Sequence, residues 1–276
     1  MMGFRILALV CASVFIVGVV SAQNDGQAIF NRAMTQLEAH DTEAAMASFR
    51  EFLEISPNDP SANYNLALCY YQREEYQRAV PAFRNAIKSK PDFVEAHIYL
   101  GNSLDYLNRP DLAMESYKKA LEFDPTNAKV YEEMAILYEK DKNYEDAARS
   151  YQKAADLDKD GFTNYRGLAR AYYNSGDFAK AIPAYKKAIA SDPDNATNHL
   201  YLAYSLVKTK RQMESIPEFE RVIALKPNDA YAINGLGGAY AEIGNAAMAR
   251  KQYNTLLAVD KTMAAKLLAK IDAAKR

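Results

Sequence analysis

Side chains able to make or break bonds are sparse in this sequence. Histidine occurs three times, as His40, His97 and His199, and cysteine twice, as Cys11 and Cys69. No two histidines sit four apart around a glutamate, the spacing that turns two imidazoles onto one helix face for zinc, so no metal site is read. Cys69 has no histidine at helical spacing to activate it, and reads as a small buried residue. The string Gly235-Leu236-Gly237-Gly238-Ala239-Tyr240 looks like a phosphate loop, but no strand precedes it and it falls inside a helical pattern. Glu132, Glu133 and Glu139 could exchange protons, although a solvated, charged helix face accounts for them. The expectation is a protein that is not an enzyme and uses no cofactor and no metal. Recognition chemistry, by contrast, is plentiful, with twenty tyrosines and no tryptophan. Tyrosine joins a large apolar area to a polar tip and loses little entropy on binding.

The elements that place these tyrosines emerge from composition and period. Of 276 residues, 49% are hydrophobic and 25% charged, which suits a packed globular chain. The formal net charge is -1, and lysine and arginine form no stripe, so a nucleic-acid track is not expected. Met1 to Arg5 carries one positive charge, Ile6 to Val20 is apolar, and Ser21-Ala22 precedes a polar segment. These are the parts of a secretory signal peptide over residues 1–22, with cleavage expected after Ala22. The apolar run is shorter than the roughly 20 residues a membrane span needs, so a retained anchor is the weaker reading. Cleavage would leave Cys69 as the single cysteine of a periplasmic or secreted chain, with no intramolecular disulfide.

Pro57, Pro91 and Pro125 are 34 residues apart, as are Pro193 and Pro227. Units beginning at Gly26, Pro60, Val94, Ala128, Phe162, Ala196 and Ala230 superpose without insertion. Column 24 of every unit is aromatic: Phe49, Phe83, Tyr117, Tyr151, Tyr185, Phe219 and Tyr253. At 11% aromatic content, chance gives such a column on the order of once in five million sequences. Column 8 is always Ala or Gly, and column 20 is Ala or Ser. Each unit reads as two helices, whose small residues let the backbones approach while the aromatic fills the space beside them. Pro81, Pro183 and Pro217 fall inside second helices, at the cost of a hydrogen bond or a slight kink.

These columns resemble the tetratricopeptide repeat (TPR). Column 7 supplies Leu66, Leu100, Met134, Leu168, Leu202 and Leu236, and column 11 Tyr70, Tyr138, Tyr172 and Tyr240. Column 4 never carries the family's Trp, and Arg32 and Gln36 of the first unit are polar where the pattern is apolar. The resemblance covers residues 26–261 and implies an all-α, right-handed α-solenoid of seven helix-turn-helix units in a single domain over 23–276. Met263, Leu267, Leu268 and Ile271 form an apolar stripe, so a capping helix is expected at about 262–276.

Columns 2, 6, 9 and 13 of each first helix, with 5 and 12 on their flanks, face away from the packing columns. In the family that face lines the concave surface and binds ligands. Eight tyrosines fall there: Tyr64, Tyr71, Tyr99, Tyr106, Tyr173, Tyr201, Tyr204 and Tyr231. Phe30, Met34, Leu37, Leu68, Ile98 and Asn102 accompany them, and Arg166 and Arg170 are expected to orient an acidic group of the partner. The other twelve tyrosines are assigned to packing or helix-helix columns. TPR domains that clamp a C-terminal carboxylate carry Lys and Asn where this chain has Phe30 and Met34, and Lys and Arg where it has Glu95 and Tyr99; that clamp is not expected here. The function expected is an exported scaffold that holds a peptide segment or helix of a protein partner in a tyrosine-rich groove, without nucleic acid, and serves envelope assembly, secretion or transport complexes. The alternative is a small-molecule-binding subunit of a transporter.

Overall fold

A computed structural model describes residues 25–158 and 162–274. The leader expected at 1–22 lies outside the described residues, as do the last two positions of the expected capping helix. Among the described residues there are helices and no strands. They alternate in pairs: α1 (25–38) with α2 (Thr42–Ile55), α3 (Pro60–Gln72) with α4 (Tyr76–Ser89), and α5 (Val94–Tyr106) with α6 (Pro110–Phe123). Next come α7 (Ala128–Lys140) with α8 (Tyr144–Leu157), and α9 (Phe162–Ser175) with α10 (Phe178–Ser191). The series ends with α11 (Ala196–Lys208) and α12 (Gln212–Leu225), α13 (Ala230–Glu242) and α14 (Ala246–Val259), and the single α15 (Lys261–Ala273). The helices gather into two compact units, one ending at Thr126 and the other beginning at Asn127.

Local chemistry sets the helix ends. Asp59, Asn127, Asn195 and Asp229 each cap the following first helix by accepting a hydrogen bond from the backbone N–H three residues on. Asp41, Asn143, Asp177 and Asn245 do the same for second helices. Between the two helices of every pair, one residue takes a left-handed backbone: His40, Glu74, Asn108, Lys142, Gly176, Lys210 and Gly244, with φ from 55° to 84°. In six of these seven turns the next residue donates its N–H back to a carbonyl five earlier, as from Glu75 to Tyr70 at 2.9 Å and from Asn245 to Tyr240 at 2.9 Å. That is a helix-terminating turn that needs no side chain to hold it.

The pairs close over small residues. Ala33, Ala67, Ala135, Ala169 and Ala203 of the first helices, and Ala45, Ala79, Ala113, Ala147, Ala181, Ser215 and Ala249 of the second, have no exposed surface. Phe49, Phe83 and Phe219 are fully buried beside them, and Tyr117, Tyr151 and Tyr185 nearly so. Each such ring contributes roughly 1.5–3 kcal/mol by leaving water. Pro81, Pro183 and Pro217 lie within helices that run on through them. In the second unit, α15 buries Ala264, Leu267 and Ile271 against α13 and α14. Lys270 Nζ of α15 pairs with Glu242 Oε1 of α13 at 2.5 Å.

Candidate functional site

Within the first unit, seven rings form one connected aromatic surface. Tyr71 ends α3, Tyr76 opens α4, and their rings meet edge-on at 5.4 Å. Tyr99 of α5 lies edge-on to Tyr71 at 5.3 Å and stacks on Phe83 of α4 at 6.0 Å. Tyr106, at the end of α5, stacks flat on Tyr76 with centroids 4.5 Å apart and an interplanar angle of 5°. Tyr64 completes the group, 4.6 Å from Phe93 and 6.2 Å from Tyr99. Tyr106 remains 60% exposed, whereas Tyr64, Tyr71 and Tyr99 are half-buried. Asn102 accepts a hydrogen bond from Tyr117 Oη at 2.7 Å. Burial first, and neighbouring phenols second, push the Tyr64 and Tyr71 hydroxyls well above the ordinary tyrosine range. Both stay neutral and able to donate.

Other residues expected on this face are drawn inward. Phe30 packs edge-on to Phe49 at 5.9 Å and Phe52 at 5.3 Å, so it closes the α1–α2 pair. Ile98 is buried, although Tyr64 and Arg166 in the same column of their own units are half-buried and exposed. Met34 and Leu68 are half-buried.

The second unit carries a separate aromatic group. Tyr173 of α9 meets Phe178 of α10 at 5.3 Å and Tyr201 of α11 at 4.9 Å, both edge-on. Tyr201 also stacks on Tyr185 at 6.2 Å. Lys208 Nζ sits 6.0 Å over the Phe178 ring, within the range of cation–π attraction. Further along, Tyr204 lies edge-on to Phe219 at 5.3 Å and donates its hydroxyl to the Tyr231 carbonyl at 2.9 Å. The Tyr231 ring is left 60% exposed.

The two arginines are not equivalent. Arg170 of α9 grips Glu139 of α7 through both Nε, at 2.9 Å, and Nη2, at 2.5 Å, while Tyr151 Oη of α8 donates to Glu139 Oε2 at 3.0 Å. Three consecutive helices thus converge on one carboxylate, and a partner's acid would have to displace Glu139 to reach Arg170. Arg166 is exposed and makes no ion pair among the described residues.

Sequence reasoning missed Tyr76, Phe93 and Phe178. Tyr76 and Phe178 open second helices; Tyr76 was assigned to packing and Phe178 was given no role, yet each touches a tyrosine in the last turn of the preceding helix. An aromatic five residues after such a tyrosine, as in Tyr71/Tyr76 and Tyr173/Phe178, is the signal that finds them.

The candidate reactive groups are engaged in structure. His97 and His199 are buried, their Nε2 atoms 2.9 and 3.0 Å from the Pro91 and Pro193 carbonyls. Cys69 is fully buried, and burial pushes its thiol up to about 11. The glycines that look like a phosphate loop lie in α13, where Phe219, Leu267 and Lys270 press against positions 235, 237 and 238 in turn. They are contact surfaces for neighbouring helices. Among the described residues no group of three histidine, cysteine or acidic side chains is placed to hold a metal. One cleft of about 480 Å³, lined by residues including Leu66, Tyr70 and Pro81, lies off the aromatic cluster of its unit. No described helix is long and apolar enough to cross a membrane.

Comparison with known proteins agrees with this helical geometry. The family described as tetratricopeptide repeat matches residues 166–230, and the tetratricopeptide repeat protein 21 C-terminal ARM domain matches residues 23–197. The chain belongs to the tetratricopeptide repeat family. No curated protein matches this TPR chain. Solved structures similar to it include the C-terminal part of a TPR repeat-containing protein from Cytophaga hutchinsonii. That match has 19% identity and a TM-score of 0.72, and covers 87% of this chain and 99% of the other. YrrB, titled a TPR protein with an unusual peptide-binding site, is 21% identical with a TM-score of 0.62, over 67% of this chain and 96% of its own. MamA is 22% identical with a TM-score of 0.56, over 62% of this chain and 93% of its own. At these identities the likeness shows the all-α TPR solenoid fold and nothing finer.

Proposed function

We propose that this TPR chain is a non-enzymatic scaffold for protein–protein interaction, exported to the periplasm, whose tyrosine-rich first-helix faces hold a peptide segment or helix of a partner. The observation that carries the reading is the connected ring surface of Tyr64, Tyr71, Tyr76, Tyr99 and Tyr106, left partly open to water on helices whose packing faces are already satisfied. Contiguous exposed aromatic area of this kind marks interaction surfaces. The solved structure of YrrB, described as a TPR protein with an unusual peptide-binding site, lends support to a peptide as the occupant. Export rests on the charge, apolar run and small residues of positions 1–22. Among partners, complexes of envelope assembly, secretion or transport fit an exported scaffold. Arg166 is the residue available to meet an acidic group on the partner.

The test is a crosslinking pull-down from the native envelope, comparing the natural chain with a Tyr64→Ala, Tyr99→Ala, Tyr201→Ala triple variant of unchanged far-UV ellipticity. A protein captured by the former and lost by the latter is expected. Equal capture by both would move the interface off these faces. Mass spectrometry finding Gln23 as the first residue of the chain in the envelope would establish cleavage, and Met1 would refute it.

A further inference from the structure

Moving along the sequence by 102 residues, three repeats, carries one aromatic cluster onto the other. Tyr71, Tyr76, Phe83 and Tyr99 become Tyr173, Phe178, Tyr185 and Tyr201. Their geometry is the same. The first contact is edge-on at 5.4 Å in one cluster and 5.3 Å in the other. The second is edge-on at 5.3 and 4.9 Å, and the third stacked at 6.0 and 6.2 Å, with interplanar angles of 13° and 12°. The supporting shell repeats too. Ser103 Oγ donates to the Tyr99 carbonyl at 2.7 Å, and Ser205 Oγ to that of Tyr201 at 2.7 Å.

The intervening repeats show that stacking does not demand these rings. Within the second unit, two repeats beyond Tyr71 and Tyr99, stand Glu139 and Gly167. Helix pairs of the same length form with a carboxylate or no side chain in those columns. Twice, in one arrangement, three large rings are left partly open to water around one buried column-24 ring: Tyr71, Tyr76 and Tyr99 around Phe83, and Tyr173, Phe178 and Tyr201 around Tyr185. Such rings are suited to recognition.

The clusters differ at their rims. Where Tyr106 stacks on Tyr76, the second cluster places Lys208 over Phe178; where Tyr64 stands, it has Arg166. Nearby acids are engaged: Asp177 by Lys180 at 2.7 Å, Glu139 by Arg170, and Glu132 and Glu133 by Lys129. Lys208 and Arg166 make no ion pair among the described residues. The first cluster carries its cation at the other end, with Lys90 Nζ 4.6 Å over the Phe93 ring that meets Tyr64, and among the described residues no cation lies over Tyr76. We propose that the chain carries two copies of one docking site, each for an aromatic side chain on an extended partner segment, and that the copy in the second unit also reads a carboxylate beside that side chain. This rests on the scaffold reading above and names the chemistry of its ligand.

The probes are three blocked synthetic peptides, GSNFNSG, GSDFDSG and GSDADSG, titrated to millimolar concentration into the full chain with its tyrosine rings isotopically labelled for NMR. The neutral phenylalanine peptide should shift rings of both clusters, and the alanine peptide neither. The acidic phenylalanine peptide should bind the second cluster about threefold to tenfold more tightly than the neutral one, the worth of one or two exposed charge pairs. Lys208→Tyr should abolish that preference, and Tyr106→Lys should create it at the first cluster. Rings that stay still with all three peptides, a response from one cluster alone, or an acidic preference surviving Lys208→Tyr would each overturn the proposal. If the pull-down still captures a partner through Tyr64, Tyr99 and Tyr201, such a result sinks this inference and leaves the scaffold standing. Failure of both experiments takes the scaffold reading with it.

Discussion

Gly235→Ala sets two known effects of opposite sign against each other. Alanine favours a helix interior over glycine by about 0.8–1 kcal/mol, and Gly235 lies inside α13, so propensity alone forecasts a more stable protein. Packing forecasts the reverse. A Cβ at position 235 would lie 2.4 Å from both Cε1 and Cζ of Phe219. Carbon atoms sit best about 3.5–4.0 Å apart, so the ring must retreat by about 1 Å. Phe219 has no exposed surface and is closed in by Val222 and Ile233 of the same core and by the Tyr204 ring. Overpacking a pinned ring costs about 1–3 kcal/mol. The net expectation is destabilisation by about 1–2 kcal/mol, read as a lower urea midpoint at unchanged slope in far-UV ellipticity. Phe219→Leu removes the obstructing ring edge, so the double variant should be no less stable than Phe219→Leu alone. A raised midpoint for Gly235→Ala, or strict additivity in the double variant, would refute the packing argument.

Four further outcomes follow from the geometry. Gly176→Ala and Gly244→Ala should each cost about 1 kcal/mol although nothing lies within 4 Å of the added carbon, because the price is the left-handed backbone itself; Lys142→Gly should gain about half of that, both read from urea midpoints. Arg170→Ala leaves the Glu139 carboxylate, only 12% exposed, without its cation, and should lower stability by about 1–2 kcal/mol in the same assay, with less loss when Glu139→Gln is added. Around Glu242, burial raises the carboxyl pKa, but the hydrogen bonds from Lys270 and Gln212 outweigh it and hold the group below its ordinary value. A lowered folded pKa contributes stability above the unfolded value and loses it as pH falls through the folded one, so amide-exchange protection of α15 should drop on acidification below about pH 4, and the drop should vanish in Glu242→Gln. Cys69, buried and with its thiol held near 11, should resist iodoacetamide at pH 8 in the native chain and react on unfolding.

Most of the fold was legible because each pair is built from the same few contacts. Small residues in columns 8 and 20 and a ring in column 24 leave a trace that survives in every unit, from Ala33, Ala45 and Phe49 onward. Turn chemistry was hidden for a physical reason. His40, Glu74, Asn108, Lys142 and Lys210 are mostly not turn formers, and only Gly176 and Gly244 in the same column betray the left-handed residue. The surface was partly legible. Helical spacing put Tyr71, Tyr99, Tyr173 and Tyr201 on one face, but spacing along one helix cannot say what the next helix covers. Ile98 was therefore read as open when neighbours bury it, Phe30 as fully open when Phe49 and Phe52 cover part of it, and Arg170 as turned to a partner when Glu139, thirty-one residues earlier, holds it.

Within each unit the helices pack chiefly on those one or two places along the chain. Formation of each unit therefore never waits on a distant segment. A pair can bury its alanines and its column-24 ring once its own residues are available, and the next pair adds to a surface already in place. Each unit can therefore be assembled progressively from its own beginning, with few unpaired faces exposed at any moment. In the second unit the last surface left open is that of α13 and α14, and α15, arriving with Leu267 and Ile271, is what closes it.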